Sequence, residues 1–500
     1  MKFLVFKEGK APDTLDLQAS YLVGPDEMPL RGRIQYVEGV INCELNTDDA
    51  AALALMWEVK GSGKFLLQTT RLANRAAPYV LNVELARWRL MRLMQKLEDW
   101  SLFDYQPMQS INDLISKARS LFVRAVQSAE NPTDAAELAN ESLEVSIEAG
   151  ESLAKFHATK MLTPRFSQGG PARKIFGCRL DQSMQADEIP VESLGSLSFV
   201  QVPVSWAELQ PAAKTFSFGK LDRWFEFLLK RRITIKLSSV IKLQESCVPD
   251  WLKTGKIDFE TLRDLVYDYL SHIANRYGKY IRSWIILSGV HAENYFNLNF
   301  DQILELTRLA SLRAKQLCPR AASIIEIVCP WGEYYVRNLR SIHPFLYADM
   351  VAQSGINFDG FALHMPFGAA KEGMYTRDFL QISSLVDRYS ILGKPLHIIT
   401  AAPSRSTSAE AHSEDLSEGY WGSPWSEEIQ ASWLETFYRL ALSKSLVESI
   451  TWDCLSDSCT ESIPFSGLFT KDWVIKPAFA AMCELQRELA ETRTNLRPET

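Results

Sequence analysis

The stretch Tyr280–Asn294 reads YIRSWIILSGVHAEN. Its centre, WIILS at Trp284–Ser288, is a short apolar run ending at a glycine and a polar loop. That is the pattern of a strand buried on both faces, as in a parallel sheet. Seven more runs of this kind occur. They are KIFGCRL (Lys174–Leu180), SFVQVPV (Ser198–Val204), ITIKLSS (Ile233–Ser239), SIIEIV (Ser323–Val328), FDGFALH (Phe358–His364), LHIIT (Leu396–Thr400) and SITW (Ser449–Trp452).

Amphipathic helices lie between the runs. One has Phe259, Leu262, Val266, Tyr269 and Ile273 on one face, with Asp258 as its N-cap. Another places Ser423 as N-cap, Pro424 in the first turn and Glu427-Glu428 near the positive end. Its apolar face is Ile429, Trp433, Phe437 and Leu440. Eight strands alternating with helices predict a (β/α)8 TIM barrel over residues 173–490, with its first strand at Ile175–Cys178. The rival is a doubly wound open sheet. It calls for a Gly-rich phosphate loop after the first strand, and FGCRLDQS is not one.

Before the barrel the texture differs. RIQYVEGVINCEL, ALALMWEV and KFLLQTTRL read as strands, which predicts a small β-sandwich-like domain over residues 1–80. From Tyr79 the pattern turns helical. Leu85, Leu90, Leu93 and Met94 share a face, and a second block from Ser110 to Leu162 breaks at Asn131-Pro132. That second block reads as a helical hairpin within a helical region over residues 81–166, and SQGGPAR at Ser167–Arg173 as a linker.

At 500 residues the chain is long enough for two or three domains. Hydrophobic content of 46% and charged content of 23% are those of a globular protein. A net charge of −7 does not suit a nucleic-acid partner, which calls for a basic face. No run reaches the length of a membrane span. MKFLVFKEGK lacks the long apolar core of a signal peptide, so the expected compartment is the cytoplasm. The eight cysteines are scattered and read as free thiols, several of them small buried hydrophobes. Cys454 and Cys459 have no histidine beside them, which argues against zinc. No metal or cofactor is expected, and the oligomeric state is left open.

The order of landmarks resembles glycoside hydrolase family ten, the retaining xylanase family, over about Lys174 to Leu489. SFVQVPVSWAELQPAAKTFSFGKLDRWFEFLLKRRI is similar to that family's second strand and following helix. VPDWL is similar to the loop after strand three, and FDGFALHM to the strand carrying D-G-x-G-x-Q-x-H. ESITWDCLSD and GLFTKDWVIKPAF resemble the eighth strand and the closing loop and helix. PWGEYY, ELTRLA, YADMVAQSGI, LGKPLHIIT and the upstream PYVLNVELARWRLM further resemble a divergent planctomycete-type group.

The resemblance places the family's general acid, the last residue of W-D-x-x-N-E, on Gly289, and its nucleophile, in T-E, on Ala401. The glutamine of D-G-x-G-x-Q-x-H falls on His364 and its histidine on Pro366. The strand-three histidine and tryptophan fall on SSVIKL and are absent. Retaining hydrolysis needs two carboxyl groups about 5.5 Å apart. Glycine and alanine supply neither.

A relocated site would use carboxylates at the carboxyl ends of the strands. Glu333 in CPWGEYY and Asp453 after the eighth strand are the catalytic candidates, matched to an inverting separation of about 6.5–9.5 Å. Glu293, Asp457 and Glu461 lie on nearby loops. His291, Asn294, Trp331, His364, Trp421, Trp425 and Trp452 are the candidate binding residues, with Trp421 and Trp425 the sugar platforms. Each also has a structural reading: a helix cap for Glu333, a loop tie for Asp453, satisfied core histidines, and core indoles. Three functions stay open. They are a carbohydrate-binding or structural pseudoenzyme, a hydrolase with a moved site, and an unrelated barrel chemistry such as a lyase using His or Tyr.

Overall fold

In the computed structural model, residues 1–45, 49–103, 108–167, 175–190, 194–255, 257–405, 419–459 and 463–495 are described. Of the linker expected at Ser167–Arg173, Ser167 ends a helix and residues 168–173 lie outside the described residues, as does Glu461.

Eight parallel strands form a ring: Phe176–Arg179, Phe199–Pro203, Ile235–Ser238, Ile281–Ser288, Ala322–Val328, Gly360–His364, Leu396–Thr400 and Val447–Trp452. The ring closes where the eighth strand pairs with the first, Ile450 opposite Phe176 and Trp452 opposite Cys178. Closure excludes the open sheet. The first strand begins one residue later than expected and takes in Arg179.

Alternate residues of each strand point into the ring. Ile285, Ile324, Ala362 and Ile399 fill its middle as a small apolar cluster. Toward the amino ends sits a polar group. There His397 Nδ1 lies 2.8 Å from Ser449 Oγ, and Lys236 Nζ donates to the same hydroxyl at 3.3 Å. Toward the carboxyl ends, two residues further along each strand, come Arg179, Glu326, His364 and Asp453.

The outer helices start where side chains satisfy their first amides. Asp258 caps Phe259–Tyr277, as expected. Asp378 and Gln381 form a capping box on Phe379–Ser390. The helix expected to start at Ser423 instead runs Glu427–Leu442 with Ser426 as its cap. Ser423 is held elsewhere, because the preceding Tyr420–Trp421 is a strand of another sheet.

That sheet belongs to the N-terminal region. Gly63–Gln68, Ala52–Val59, Tyr21–Val23 and Pro29–Leu30 form it together with Tyr420–Trp421. Tyr420 pairs opposite Lys64 and Trp421 opposite Gly63. Gly63 has φ +143°, and a Cβ there would stand 2.3 Å from the Tyr420 carbonyl oxygen, so only glycine permits this join. A second sheet comprises Gly32–Val37, Val40–Leu45, Lys2–Leu4 and Tyr79–Val80.

Helices Leu81–Asp99, Gln109–Gln127 and Pro132–Ser167 follow, the last two being the arms of the block broken at Asn131-Pro132. Leu85, Leu90 and Leu93 are buried, as their spacing predicts. The first helix is tied to the barrel by a fully buried ion pair, Arg89 to Asp378 at 2.7 Å, and by Lys96 to Asp387 at 2.8 Å.

Cys454 and Cys459 form a disulfide, which corrects the expectation of free thiols. The tight turn after the eighth strand brings their Cα atoms to 6.2 Å, within bonding reach. No helix among the described residues is long and apolar enough to cross a membrane. Among the same residues no His/Cys/Asp/Glu group is arranged to hold a metal ion.

Candidate functional site

At the carboxyl end of the barrel, four charged side chains from four strands meet. Arg179 ends the first strand, Glu326 lies in the fifth, His364 ends the sixth, and Asp453 follows the eighth. Arg179 reaches Glu326 through Nη2 at 2.7 Å and Asp453 through Nη1 at 2.9 Å. His364 Nε2 lies 2.8 Å from Asp453 Oδ2, and its Nδ1 lies 3.6 Å from Glu326 Oε1. One guanidinium and one imidazole thus bridge the same two carboxylates.

Neighbours hold this cluster in place. The Asp453 amide donates to the Thr400 carbonyl at 2.8 Å, which fixes the carboxylate just above the seventh strand. Gln201 donates to Thr451 at 3.0 Å and accepts from Arg179 Nε at 3.4 Å. Side-chain exposure grades across the group: 1% for Glu326, 7% for Asp453, 13% for Arg179 and 19% for His364. The members that reach the opening are the two nitrogen-bearing groups.

Electrostatics follow from the geometry. Burial pushes the Glu326 carboxyl upward, but Arg179, His364 and a hydrogen bond from Ser288 outweigh it, leaving the group below the usual glutamate range. Asp453 behaves the same way, with burial opposed by Arg179 and then His364. Both are held ionised near neutral pH. Neither suits the role of proton donor, which needs a carboxyl raised toward neutrality.

Gly289 and Ala401 directly follow the fourth and seventh strands. Gly289 has φ +62°, and a Cβ would approach Val328 Cγ2 to 3.0 Å. Ala401 is fully buried, its carbonyl accepting from the Phe367 amide at 2.8 Å. At the same end of the barrel a cleft of about 240 Å³ follows the first two strands, with none of the four cluster residues in its lining. Asp181, Gln182, Ser205, Glu208, Lys220 and Trp224 help to line it.

The structure does not bring Glu333 to Asp453. Glu333 begins a short 3-10 turn, Glu333–Val336, and its Oε1 accepts from Arg377 Nη2 at 2.7 Å. The same Arg377 nitrogen lies 3.3 Å from the Tyr21 hydroxyl of the N-terminal region. The four residues between the fifth strand and Glu333 carry it off the barrel axis to this seam. Asp453 meets Glu326 instead.

The other candidates divide as follows. His364 is in the cluster. His291 is fully buried, its Nδ1 2.7 Å from the Tyr334 hydroxyl, which itself donates to the Ile342 carbonyl. Burial pulls the His291 pKa down to about 3, so the ring is neutral. Asn294 Oδ1 accepts from the Leu298 amide at 2.6 Å, closing a local turn. Trp331 is half-buried, with the Arg377 guanidinium 4.5 Å from its ring centre.

Trp421, Trp425 and Trp452 are all buried. Their ring nitrogens donate to Glu151, to the Gly419 carbonyl and to the Ser466 carbonyl. Trp425 and Trp452 pack on Trp433. This burial leaves none of the three a free face for stacking a sugar. Of the loop carboxylates, Glu293 accepts from Gln244 and Asp457 from Lys476.

Sequence reasoning missed Arg179, Glu326 and Gln201. The available signal was a charged or amide residue at an inward position of an otherwise apolar strand, in KIFGCRL, SIIEIV and SFVQVPV.

Fold and cluster together define a (β/α)8 barrel with a charged, ion-paired mouth. No protein-family model matches this chain, and no curated protein does. Among solved structures, the chain is similar to native xylanase 10B from Thermotoga maritima. The identity is 13% and the TM-score 0.49, over 64% of this chain and 97% of that one. It is similar to xylanase 10B from Thermotoga petrophila RKU-1, solved with xylobiose, at 14% identity and TM-score 0.48, over 63% and 95% of the two chains. A GH10 endoxylanase from a sugarcane soil metagenome is 17% identical with TM-score 0.48, over 62% and 97%.

Proposed function

We propose that this chain is a non-hydrolytic carbohydrate-binding barrel, derived from a family-ten-like glycoside hydrolase of the planctomycete-type group. One observation carries the reading: both carboxylates at the barrel mouth are bridged by Arg179 and His364 and held ionised. A hydrolytic pair needs one carboxyl that gives up a proton to the leaving group. Gly289 and Ala401 leave the usual two positions without one.

The carbohydrate part rests on the sequence resemblance and on the mouth itself. Arg179 and His364, the most exposed members of the cluster, are the groups a saccharide would meet first. The cleft after the first two strands gives such a ligand room. The N-terminal sheets and helices serve in this reading as a separate assembly module docked on the barrel.

One observation favours a second reading, a divergent hydrolase with a relocated pair. Glu326 and Asp453 converge on the same two partners, as two catalytic carboxylates would. A panel of polysaccharides and oligosaccharides, assayed for reducing-sugar release, separates the readings. Binding without release supports the first. Release that is lost in Glu326→Gln supports the second.

A further inference from the structure

A second cavity lies away from the mouth, where the N-terminal sheet, the first helix and the barrel meet. Gln68 comes from the sheet, Trp88, Arg89 and Arg92 from helix Leu81–Asp99, and Trp331 and Arg377 from the barrel. Its water-accessible space is about 40 Å³. That holds two or three waters, or one small polyatomic ion.

The lining is one-sided in charge. Three arginines are among its lining residues, together with Gln68, Gln381 and Ser384; Gln381 Nε2 donates to the Leu66 carbonyl and Ser384 Oγ to the Leu380 carbonyl. The only lining carboxylate is Glu27, which is half exposed and shared between Arg92 at 3.6 Å and Arg388 at 3.8 Å. The carboxylates that neutralise Arg89 and Arg377, namely Asp378 and Glu333, are not part of the lining. The Arg377 Nε is buried and has no partner among the described residues. A buried guanidinium N–H left bare is costly unless something accepts from it. The Arg377 guanidinium carbon also lies 4.5 Å from the Trp331 ring centre, a cation–π contact.

The geometry points to a binding site for a small oxyanion: a carboxylate or phosphate group, free or carried by a larger ligand. Arginine forks match the paired oxygens of either group. Because the walls come from three parts of the chain, a bound anion would also tie them together. The site is independent of the barrel mouth and of the reading given to it.

Calorimetric titration of the full chain with inorganic phosphate and, separately, with glucuronate tests the assignment. Saturable binding of either probe supports it, and the probe that binds identifies the source. Arg92 is only partly buried, so Arg92→Gln is expected to fold and to weaken binding about 10-fold, the scale of one charge-assisted hydrogen bond. Gln68→Glu adds a negative charge to the wall and is expected to abolish binding, with an unchanged circular dichroism spectrum as the folding control. No binding of either probe by the wild type overturns the proposal. So does binding that neither substitution affects.

Discussion

Replacing Arg179 with methionine keeps the bulk of the side chain and removes the charge that bridges Glu326 and Asp453. The native guanidinium makes close contacts at 2.7 and 2.9 Å to carboxylates that are 1% and 7% exposed. Breaking such a buried pair strands the partner charge and costs about 3–5 kcal/mol. His364 still faces both carboxylates, which places the expected loss toward the lower figure. The sign with pH follows from the shifts. In the wild type both carboxyls are depressed, so their contribution is present above the ordinary carboxylate range and is lost as pH falls through the folded values. In the variant burial acts with less opposition, the carboxyls titrate higher, and acid relieves the penalty. The stability gap is therefore widest near pH 8 and narrows toward pH 5. Urea unfolding followed by tryptophan fluorescence at both pH values measures it. A loss under about 1 kcal/mol at pH 8, or a gap that does not change with pH, refutes the claim that a buried charge cluster closes the barrel mouth.

Other perturbations address separate parts of the account. Trp452→Ala removes a fully buried indole and is expected to cost about 3–5 kcal/mol in denaturant unfolding; a selective loss of ligand affinity at unchanged stability would return it to the binding residues. Gly289→Glu restores a carboxyl at the fourth strand's end but forces a side chain onto φ +62° against Val328, so it should lower stability by about 1 kcal/mol or more and yield no xylan hydrolysis. Xylanase activity in that variant would show that the backbone still fits the acid. Burial and the neighbouring Lys444 pull the His157 pKa down to about 4, and the ring stacks on Trp100 with centres 3.9 Å apart. The folded state then binds fewer protons than the unfolded one between about pH 6.5 and 4, so His157 lowers stability as pH falls through that window. His157→Phe keeps the stack and should flatten the melting-temperature profile there; an unchanged profile removes His157 as the cause.

The barrel was legible because each strand is a short apolar run set off by polar turns. That signal is local, and all eight runs became strands. Asp258 was legible as a cap for the same reason. The Ser423 cap failed because the preceding Tyr420–Trp421 is claimed by strand Gly63–Gln68, more than 350 positions earlier in the chain, and no local pattern encodes that pairing. The site was half legible. His364 and Asp453 stand at strand ends, where barrel chemistry is sought. Arg179 and Glu326 hide inside runs that read as core, since hydrophobic periodicity gives no weight to a single inward charge. Glu333 misled for a geometric reason: four residues of loop carry a side chain from the barrel axis to the seam with Tyr21 and Arg377. Trp421 and Trp425 looked like platforms and Trp452 like a binding residue, yet composition cannot tell a buried indole from an exposed one.

Calorimetric injection of a xylo-oligosaccharide into the wild-type protein at neutral pH, with the sugar recovered and its length determined afterwards, tests the central claim most directly. The account predicts discrete, saturating heats that return to baseline, and an oligosaccharide recovered intact. A sustained heat of turnover with shortened products would contradict it, as would the absence of any binding heat across a set of such sugars.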